Sequence, residues 1–292
     1  MSTTAIFLVL SAAVVHAGWN VFAHAVSRIG LPFLWWGAVL STVLWAGIVP
    51  LTGGLGTDFS SFAFGVGVSA ALHVAYLLVL QKGYRVAELS TVYARARGSG
   101  PIISVVVAIA VLGERPDPTA LVGVALVLAG VLTIGAPDRR RTEAEGAPRL
   151  RLWMEPGFIF GVLTGAAIAA YTVWDANSVR NWHFSPVAFM VACTLVEIPL
   201  FSLALRRRGR ELLPALRAHW PPLLAFGVLS PLSYILVLVA VTLAPLALVA
   251  PTREVSVVLV SIYGALVLHE RRARWRVAAS VVVAAGIVLI AA

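Results

Sequence analysis

The fold of this chain is decided by two apolar stretches: residues 93–115, YARARGSGPIISVVVAIAVLGER, and residues 249–271, VAPTREVSVVLVSIYGALVLHER. Each stretch holds an arginine, Arg97 or Arg253, within a run long enough to cross a membrane. An arginine in hydrocarbon costs about 3 kcal/mol or more, so it is retained only where it has a partner or a use. The two arginines lie 156 residues apart, in halves of the chain that resemble each other. This pattern predicts a duplicated membrane protein with a polar site between its repeats.

Composition excludes a soluble domain. Apolar residues make up 60% of the 292 residues, and charged residues make up only 12%. The net charge of +9 would suit a nucleic-acid partner, but most basic residues lie in short clusters between apolar runs. That placement is typical of loops held on the cytoplasmic face of a membrane. We therefore expect the bilayer, and no nucleic acid, as a partner.

Helical membrane segments need about 20 apolar residues. Ten are predicted, at 4–26, 33–51, 62–81, 89–112, 118–136, 156–178, 186–205, 220–242, 247–268 and 274–291. The first segment lacks a basic region before it and a clear cleavage site after it, so we expect it to be a retained helix. The long polar stretch 137–155 is predicted to link two groups of five helices.

Basic residues predict the orientation of these segments. Of the 22 lysines and arginines, 17 fall on the predicted face that carries the linker, two fall on the other face, and three lie within segments. Basic loops stay on the cytoplasmic side. We therefore predict a multi-pass protein of a bacterial-type inner (cell) membrane, with a cytoplasmic linker and both termini outside.

Polar and aromatic matches between the two halves predict an internal duplication. A shift of 156 superposes Arg97 on Arg253 and also superposes Glu114-Arg115 on Glu270-Arg271; a shift of 155 brings Trp19 onto Trp174. The predicted repeats are residues 1–137 and 155–292, joined by the linker 138–154. Because five is an odd number, the second repeat enters the membrane inverted, which places a solute path at the repeat interface near the midplane.

The chain resembles a known family at these positions. Trp19-Asn20, Ala96-Arg97-Gly98 followed by Pro101, Gly113-Glu114-Arg115 and Gly123…Gly130 resemble the EamA repeat of the drug/metabolite transporter superfamily. The second copy is similar through Trp174, Thr252-Arg253-Glu254, His269-Glu270-Arg271 and Gly286. The resemblance implies ten helices around a central cavity, and export or exchange of small metabolites. Among its members, the aromatic and neutral amino acid exporters are the most similar.

The two arginines are the first candidates for solute binding. A planar guanidinium suits a carboxylate or a phosphate. The alternative is that each arginine is held in an ion pair, with Glu254 or Glu197, that stabilises the helix bundle. The residues leave both interpretations open.

Aromatic, hydroxyl and histidine side chains extend the candidate site, because they suit a cavity for a zwitterion with an apolar or aromatic tail. The alternatives are interhelical packing for the tyrosines, interfacial anchoring for the tryptophans and a structural role, rather than proton relay, for the histidines. Besides the arginines, the predicted solute-binding residues are Tyr76, His73, Tyr93, Tyr234, Ser233, Trp19, Asn20 and Trp174.

The sequence predicts roles other than solute binding for the carboxylates. Glu114 and Glu270 recur at the ends of matching segments, so we expect them to cap helix ends rather than to touch solute. Asp175 is expected near the outer end of its helix, where exposure would allow it to ionise. No carboxylate occurs between Ser2 and Thr57, which disfavours proton antiport through a first-helix glutamate and favours a facilitator or a differently coupled exporter.

The sequence therefore predicts a transporter of small metabolites, most favourably neutral or aromatic amino acids, that works by alternating access. The alternatives are a drug or nucleotide-sugar or phosphometabolite carrier of the same fold, and an intramembrane enzyme. Catalytic motifs are missing from the sequence, and the only cysteine, Cys193, is expected to be a packing residue. We expect no catalysis, no cofactor and no metal, and a monomer or weak homodimer.

Overall fold

The computed structural model describes residues 1–24, 29–87, 89–134, 155–266 and 273–292. Within these ranges the protein is helical and has no strand. Two 3-10 turns, Val49–Thr52 and Gly209–Glu211, join longer helices. The α-helices are α1 Thr3–His24, α2 Leu31–Ala46, α3 Phe59–Val86, α4 Leu89–Ala110, α5 Pro118–Ile134, α6 Pro156–Asn181, α7 Pro186–Leu205, α8 Leu212–Leu243, α9 Leu246–Arg253, α10 Val255–Leu266 and α11 Ala273–Ala291.

The predicted all-helical fold of ten segments is confirmed over the described ranges. The helix bounds shift by a few residues in most segments, and two segments contain an interruption that was not predicted. The ninth is broken into α9 and α10 at Glu254, three residues after Pro251. The eighth starts earlier than predicted and is kinked at His219, just before Pro221 and Pro222. Proline lacks the N–H that continues a helix and its ring crowds the preceding turn, which accounts for the kink before Pro221. At Glu254 the backbone N–H donates to the Pro251 carbonyl three residues back, so the helix tightens into a turn there.

Membrane-spanning character is clearest in five helices of the described chain. By length and composition, Thr3–Asn20, Phe59–Val86, Pro156–Asn181, Pro186–Leu205 and Gly209–Leu243 are long and apolar enough to cross a bilayer. Leu31–Ala46, Pro118–Ile134 and Ala278–Ala291 are shorter apolar helices.

Short polar signals place the helix starts. The Asp58 carboxylate precedes α3 and accepts hydrogen bonds from the Ser60 hydroxyl at 2.6 Å and from the Ser61 N–H at 2.9 Å. These bonds, chiefly the one from Ser60, lower the pKa of Asp58 to about 2. Asp117 caps α5 in the same way by accepting from the N–H and the hydroxyl of Thr119. Both caps satisfy backbone groups that a helix start leaves without partners.

The chain divides into two compact units. Unit 1 consists of Met1, residues 75–173 and residues 245–292; unit 2 consists of residues 2–74 and 174–244. Each unit therefore takes helices from both predicted repeats.

In unit 1, glycines allow helix backbones to approach closely. A methyl group at Gly123 of α5 would lie 2.5 Å from the carbonyl oxygen of Gly286 in α11. A methyl group at Gly165 of α6 would collide with the Ser99 hydroxyl of α4 and lie 2.8 Å from the Gly100 nitrogen. Small residues of this kind are the usual device for packing membrane helices. The second contact fixes the part of α4 that carries Arg97.

Glu114 joins two helices of unit 1. It follows Gly113, whose φ of +68° ends α4 in a left-handed turn that glycine favours. The Glu114 carboxylate accepts hydrogen bonds at 2.8 Å from the N–H groups of Leu246 and Ala247, the first two residues of α9. The predicted capping role of Glu114 is confirmed. Glu270, its predicted counterpart, lies outside the described residues.

In unit 2, aromatic and hydroxyl contacts join α1, α2, α7 and α8. A methyl group at Gly37 of α2 would lie 2.6 Å from the Phe226 ring of α8, so that ring packs directly on the α2 backbone. The Thr42 hydroxyl of α2 donates to the Thr194 hydroxyl of α7 at 2.9 Å. Interhelical hydrogen bonds of this kind link helices where the surroundings are apolar.

We predict that Glu114→Ala destabilises the protein strongly. Removing the carboxylate leaves two buried N–H groups without acceptors, which lowers the free energy of unfolding by about 2 kcal/mol or more. Unfolding by SDS in mixed micelles measures the change. The control is Glu211→Ala, which removes a carboxylate from an exposed pair with Arg208 and should leave stability nearly unchanged. Equal effects of the two variants would contradict the capping role.

We also predict that Gly123→Ala destabilises unit 1, because the added methyl group would push α5 away from α11. Overpacking of this kind costs about 1–3 kcal/mol. Gly67→Ala is the matched control, since Gly67 also lies within a helix but a methyl group there meets no atom within 4 Å. In the same measurement, the free energy of unfolding should be lower for Gly123→Ala than for wild type, and it should be equal or higher for Gly67→Ala.

Candidate functional site

The most buried carboxylate of the described chain lies in unit 2. Asp175 of α6 is 0% exposed. Its Oδ1 accepts a hydrogen bond from the Ser69 hydroxyl of α3 at 2.6 Å, and its Oδ2 accepts one from the Tyr234 hydroxyl of α8 at 2.5 Å. The expectation that Asp175 is exposed near a helix end is wrong, because three helices close around it and supply donors in place of water.

A histidine lies between Asp175 and a second carboxylate. The His73 Nε2 atom is 3.4 Å from Asp175 Oδ2, and its Nδ1 atom is 3.4 Å from Oε1 of Glu197 on α7. The side chains of His73 and Glu197 are each 10% exposed. We call Asp175, His73 and Glu197 the acid–histidine cluster.

Two further side chains complete the surroundings of this cluster. The Tyr234 ring meets the His73 ring edge-on, with centroids 5.7 Å apart. The Cys193 thiol is buried next to Ser69 and Asp175, so the predicted packing role of this residue is confirmed. Sequence reasoning selected His73 and Tyr234 but omitted Ser69, Asp175 and Glu197 from the site. The signal for the two acids was available, since each is the only carboxylate in its apolar segment.

Other predicted site residues of unit 2 make local contacts. The Asn20 amide donates to the His16 carbonyl, and the Ser233 hydroxyl donates to the Ser230 carbonyl, each within its own helix. The Trp174 indole N–H donates to the Gly65 carbonyl of α3 at 3.0 Å, which ties α6 to α3.

Trp19 differs from these residues. Its ring packs edge-on against His16 and Phe226, at centroid distances of 4.8 and 5.2 Å. Its indole N–H is buried and has no hydrogen-bond partner among the described residues. A buried donor without an acceptor is costly, so the exposed alternative would be more stable unless strain, a bound water or ion, or a functional role explains the group.

Arg97 of α4 forms an ion pair in unit 1. The Arg97 Nη1 atom is 3.2 Å from Oε1 and 3.5 Å from Oε2 of Glu254, and the two side chains are 13% and 5% exposed. Glu254 is the residue that separates α9 from α10. Of the two partners that the sequence left open for Arg97, the structure therefore selects Glu254.

Unit 1 also contains two buried hydroxyls without hydrogen-bond partners among the described residues. The Ser256 hydroxyl, two residues after Glu254, and the Thr172 hydroxyl of α6 are both buried without a hydrogen-bond partner in the described residues. Arg253 ends α9 and is partly exposed. The Tyr76 ring lies against the Tyr171 ring at a centroid distance of 5.5 Å. The side chain of Tyr93 lies outside the described residues.

The fold and these buried side chains define a multi-pass helical membrane protein with ionisable groups inside its spans, the pattern of proteins that move polar solutes. Residues 155–292 match the model of the EamA-like transporter family. The second half of the chain is thus similar to an EamA-like transporter domain. The resemblance read from the sequence is confirmed at this level.

Solved structures support the fold alone. A crystal structure, described only as that of a protein, aligns with 99% of this chain and 98% of its own chain, with a TM-score of 0.73 and 15% sequence identity. No curated protein matches the chain significantly in sequence.

We predict that Ser69→Ala destabilises unit 2 because it removes a hydrogen bond to a buried carboxylate. Such bonds contribute about 1.5–3 kcal/mol. Ser178→Ala is the matched control: Ser178 is also fully buried and lies on the helix of Asp175, but its hydroxyl only donates to the Trp174 carbonyl one turn away. SDS-induced unfolding should show the larger loss for Ser69→Ala, and the reverse order would contradict this account of Asp175.

Proposed function

We propose that this transporter exports small metabolites, most favourably neutral or aromatic amino acids, by alternating access. The observation that carries the proposal is the buried Arg97–Glu254 ion pair at the break between α9 and α10. Carriers bind polar solutes where a membrane helix is discontinuous, because the break exposes groups that an unbroken helix would satisfy itself.

The chemistry of the ion pair supports a solute that carries a carboxylate. An arginine already paired with a carboxylate can exchange that partner for the carboxylate of a solute without leaving a buried charge alone. The two buried hydroxyls of Ser256 and Thr172 are donors that lack acceptors among the described residues, and they are available to the same class of solute.

Aromatic residues support an apolar or aromatic tail on the solute. The paired rings of Tyr76 and Tyr171 in unit 1 are suitable contacts for such a tail. A nucleotide sugar or phosphometabolite fits less well, because the only lysine, Lys82, lies over the Phe160 ring at 5.5 Å.

The orientation forms part of the proposal. We place the linker in the cytoplasm and both termini outside, on the basis of the 17 to 2 distribution of basic residues between the two faces. In this orientation the solute enters the carrier from the cytoplasmic face, which carries the basic loops, and is released on the outer face.

The proposal predicts opposite effects for the two members of the ion pair. Arg97→Ala removes the group that holds the solute carboxylate, so counterflow of labelled amino acids in proteoliposomes should fall on the order of tenfold to a hundredfold. Glu254→Gln removes the competitor for Arg97, so the solute should bind more tightly, which appears as a lower KM.

Arg95→Ala is the matched control for this experiment. Arg95 lies on the same helix, but its guanidinium lies over the Phe158 ring at 4.7 Å. It should transport within about twofold of wild type, since an exposed or half-exposed cation–π contact contributes about 0.5–1 kcal/mol to folding rather than to solute binding. If Arg97→Ala and Arg253→Ala both transported at wild-type rates, the carboxylate-binding role would be lost. If Glu254→Gln lost transport along with Arg97→Ala and both unfolded readily, the ion pair would be structural.

A further inference from the structure

We propose that the acid–histidine cluster is a proton-binding site that couples solute movement to the pH difference across the membrane. The proposal rests on the proposed function, because coupling requires a transported solute. It concerns residues that the carboxylate-binding role of Arg97 does not use. The observation behind it is that one imidazole contacts two membrane-buried carboxylates, one through each ring nitrogen.

The charges of the cluster favour uptake of one proton. A protonated His73 carries one positive charge, whereas Asp175 and Glu197 together carry two negative charges when both are ionised. The excess negative charge lies where burial makes an uncompensated ion expensive. One additional proton brings the cluster to neutrality, so the cluster has two states that differ by one proton.

The helix segments nearest the cluster are poor in basic residues. Residues 31–46, 59–74, 186–205 and 220–243 of unit 2 contain no lysine or arginine. The other titratable groups with described side chains in the α-helices of unit 2 are His16 on α1, Arg180 on α6, Cys193 on α7, and Arg217, His219 and Tyr234 on α8. Arg180 is five residues beyond Asp175, about 7.5 Å farther along the helix axis. The Tyr234 hydroxyl donates a hydrogen bond to Asp175 and adds no positive charge to the cluster.

The two carboxylates differ in a way that assigns them different roles. Asp175 is fully buried, and two hydroxyl donors stabilise its ionised form. Glu197 is also buried, at 7% exposed, and His73 is its ion-pair contact in the described residues. We therefore assign the exchangeable proton to the contact between Glu197 and His73, which lacks the two hydroxyl donors that Asp175 has. A neutral imidazole can accept a proton on one nitrogen and release one from the other, which suits it to this position.

A proton suits the cluster better than a metal ion does. Among the described residues, no group of three or more His, Cys, Asp and Glu side chains has the arrangement of a metal site. The imidazole itself occupies the space between the carboxylates, with 3.4 Å on each side.

The test compares two assays on the same proteoliposomes. The first is counterflow of a labelled amino acid at equal pH on both sides, and the second is accumulation of that amino acid driven by an imposed pH difference. Wild type is expected to perform both. In Glu197→Gln, the ratio of gradient-driven accumulation to counterflow should fall on the order of tenfold or more. Glu197→Asp, which keeps the carboxylate, should recover part of the ratio.

His219→Gln is the control for loss of a histidine. His219 lies at the kink of α8 and makes no part of the cluster, so this variant should keep the wild-type ratio. An equal loss of the ratio in His219→Gln would overturn the assignment of coupling to Glu197 and His73.

A second measurement is independent of transport. The infrared carbonyl band of a protonated carboxyl group is recorded as the purified full-length protein is titrated from alkaline to acidic pH. We expect a band in wild type that is missing in Glu197→Gln. Absence of counterflow in wild type would refute the amino acid proposal while the infrared band still tests the proton site. Counterflow without any response to the pH difference, together with identical titrations of wild type and Glu197→Gln, would overturn the proton site.

Discussion

The cost of an unpartnered polar group in an apolar membrane is the constraint on which this structure depends. Three buried carboxylates described above are held by specific donors: Asp175 by two hydroxyls, Glu254 by a guanidinium and Glu114 by two backbone N–H groups. In each case the partner comes from a different helix, so satisfying the charge also joins helices that the apolar effect cannot hold together within lipid. The polar groups therefore determine which helices pack, and the glycines determine how closely.

The same constraint explains why the ninth segment can be broken. Pro251 removes a backbone hydrogen bond within α9, and the next helix starts only after Glu254. A break within hydrocarbon is tolerated only where other groups satisfy the freed backbone or where the site faces protein or water. Glu114 secures the far end of α9, and Arg97 binds the carboxylate at the break, so a short helix of eight residues is fixed at both ends by charged side chains.

Sequence patterns predicted most of the fold because length and hydropathy alone decide which segments cross a membrane. The bounds of α7 match those predicted, and those of α4 and α5 differ by two residues at one end. The site was less predictable. Motifs that recur in the two halves of the sequence identified Arg97 and Glu114 as notable residues. The cluster of His73, Asp175 and Glu197, in contrast, joins residues up to 124 positions apart in the sequence. Apolar helices carry almost no information about which faces meet, so depth within the membrane could be estimated for Asp175 but burial could not.

The two charge centres also differ in what they can do. Arg97 and Glu254 balance each other, so exchange of one carboxylate for another changes the net charge of unit 1 little. The acid–histidine cluster has more acids than bases, so a change in its proton content alters the charge of unit 2 by a full unit. A conformational equilibrium shifts only when a ligand has different affinities for the two states. A neutral exchange suits solute recognition, whereas a change of net charge in an apolar setting is large enough to bias one conformation over another. The absence of a carboxylate from the first helix therefore does not argue against proton coupling in this chain, because acids on α6 and α7 can supply it from another position.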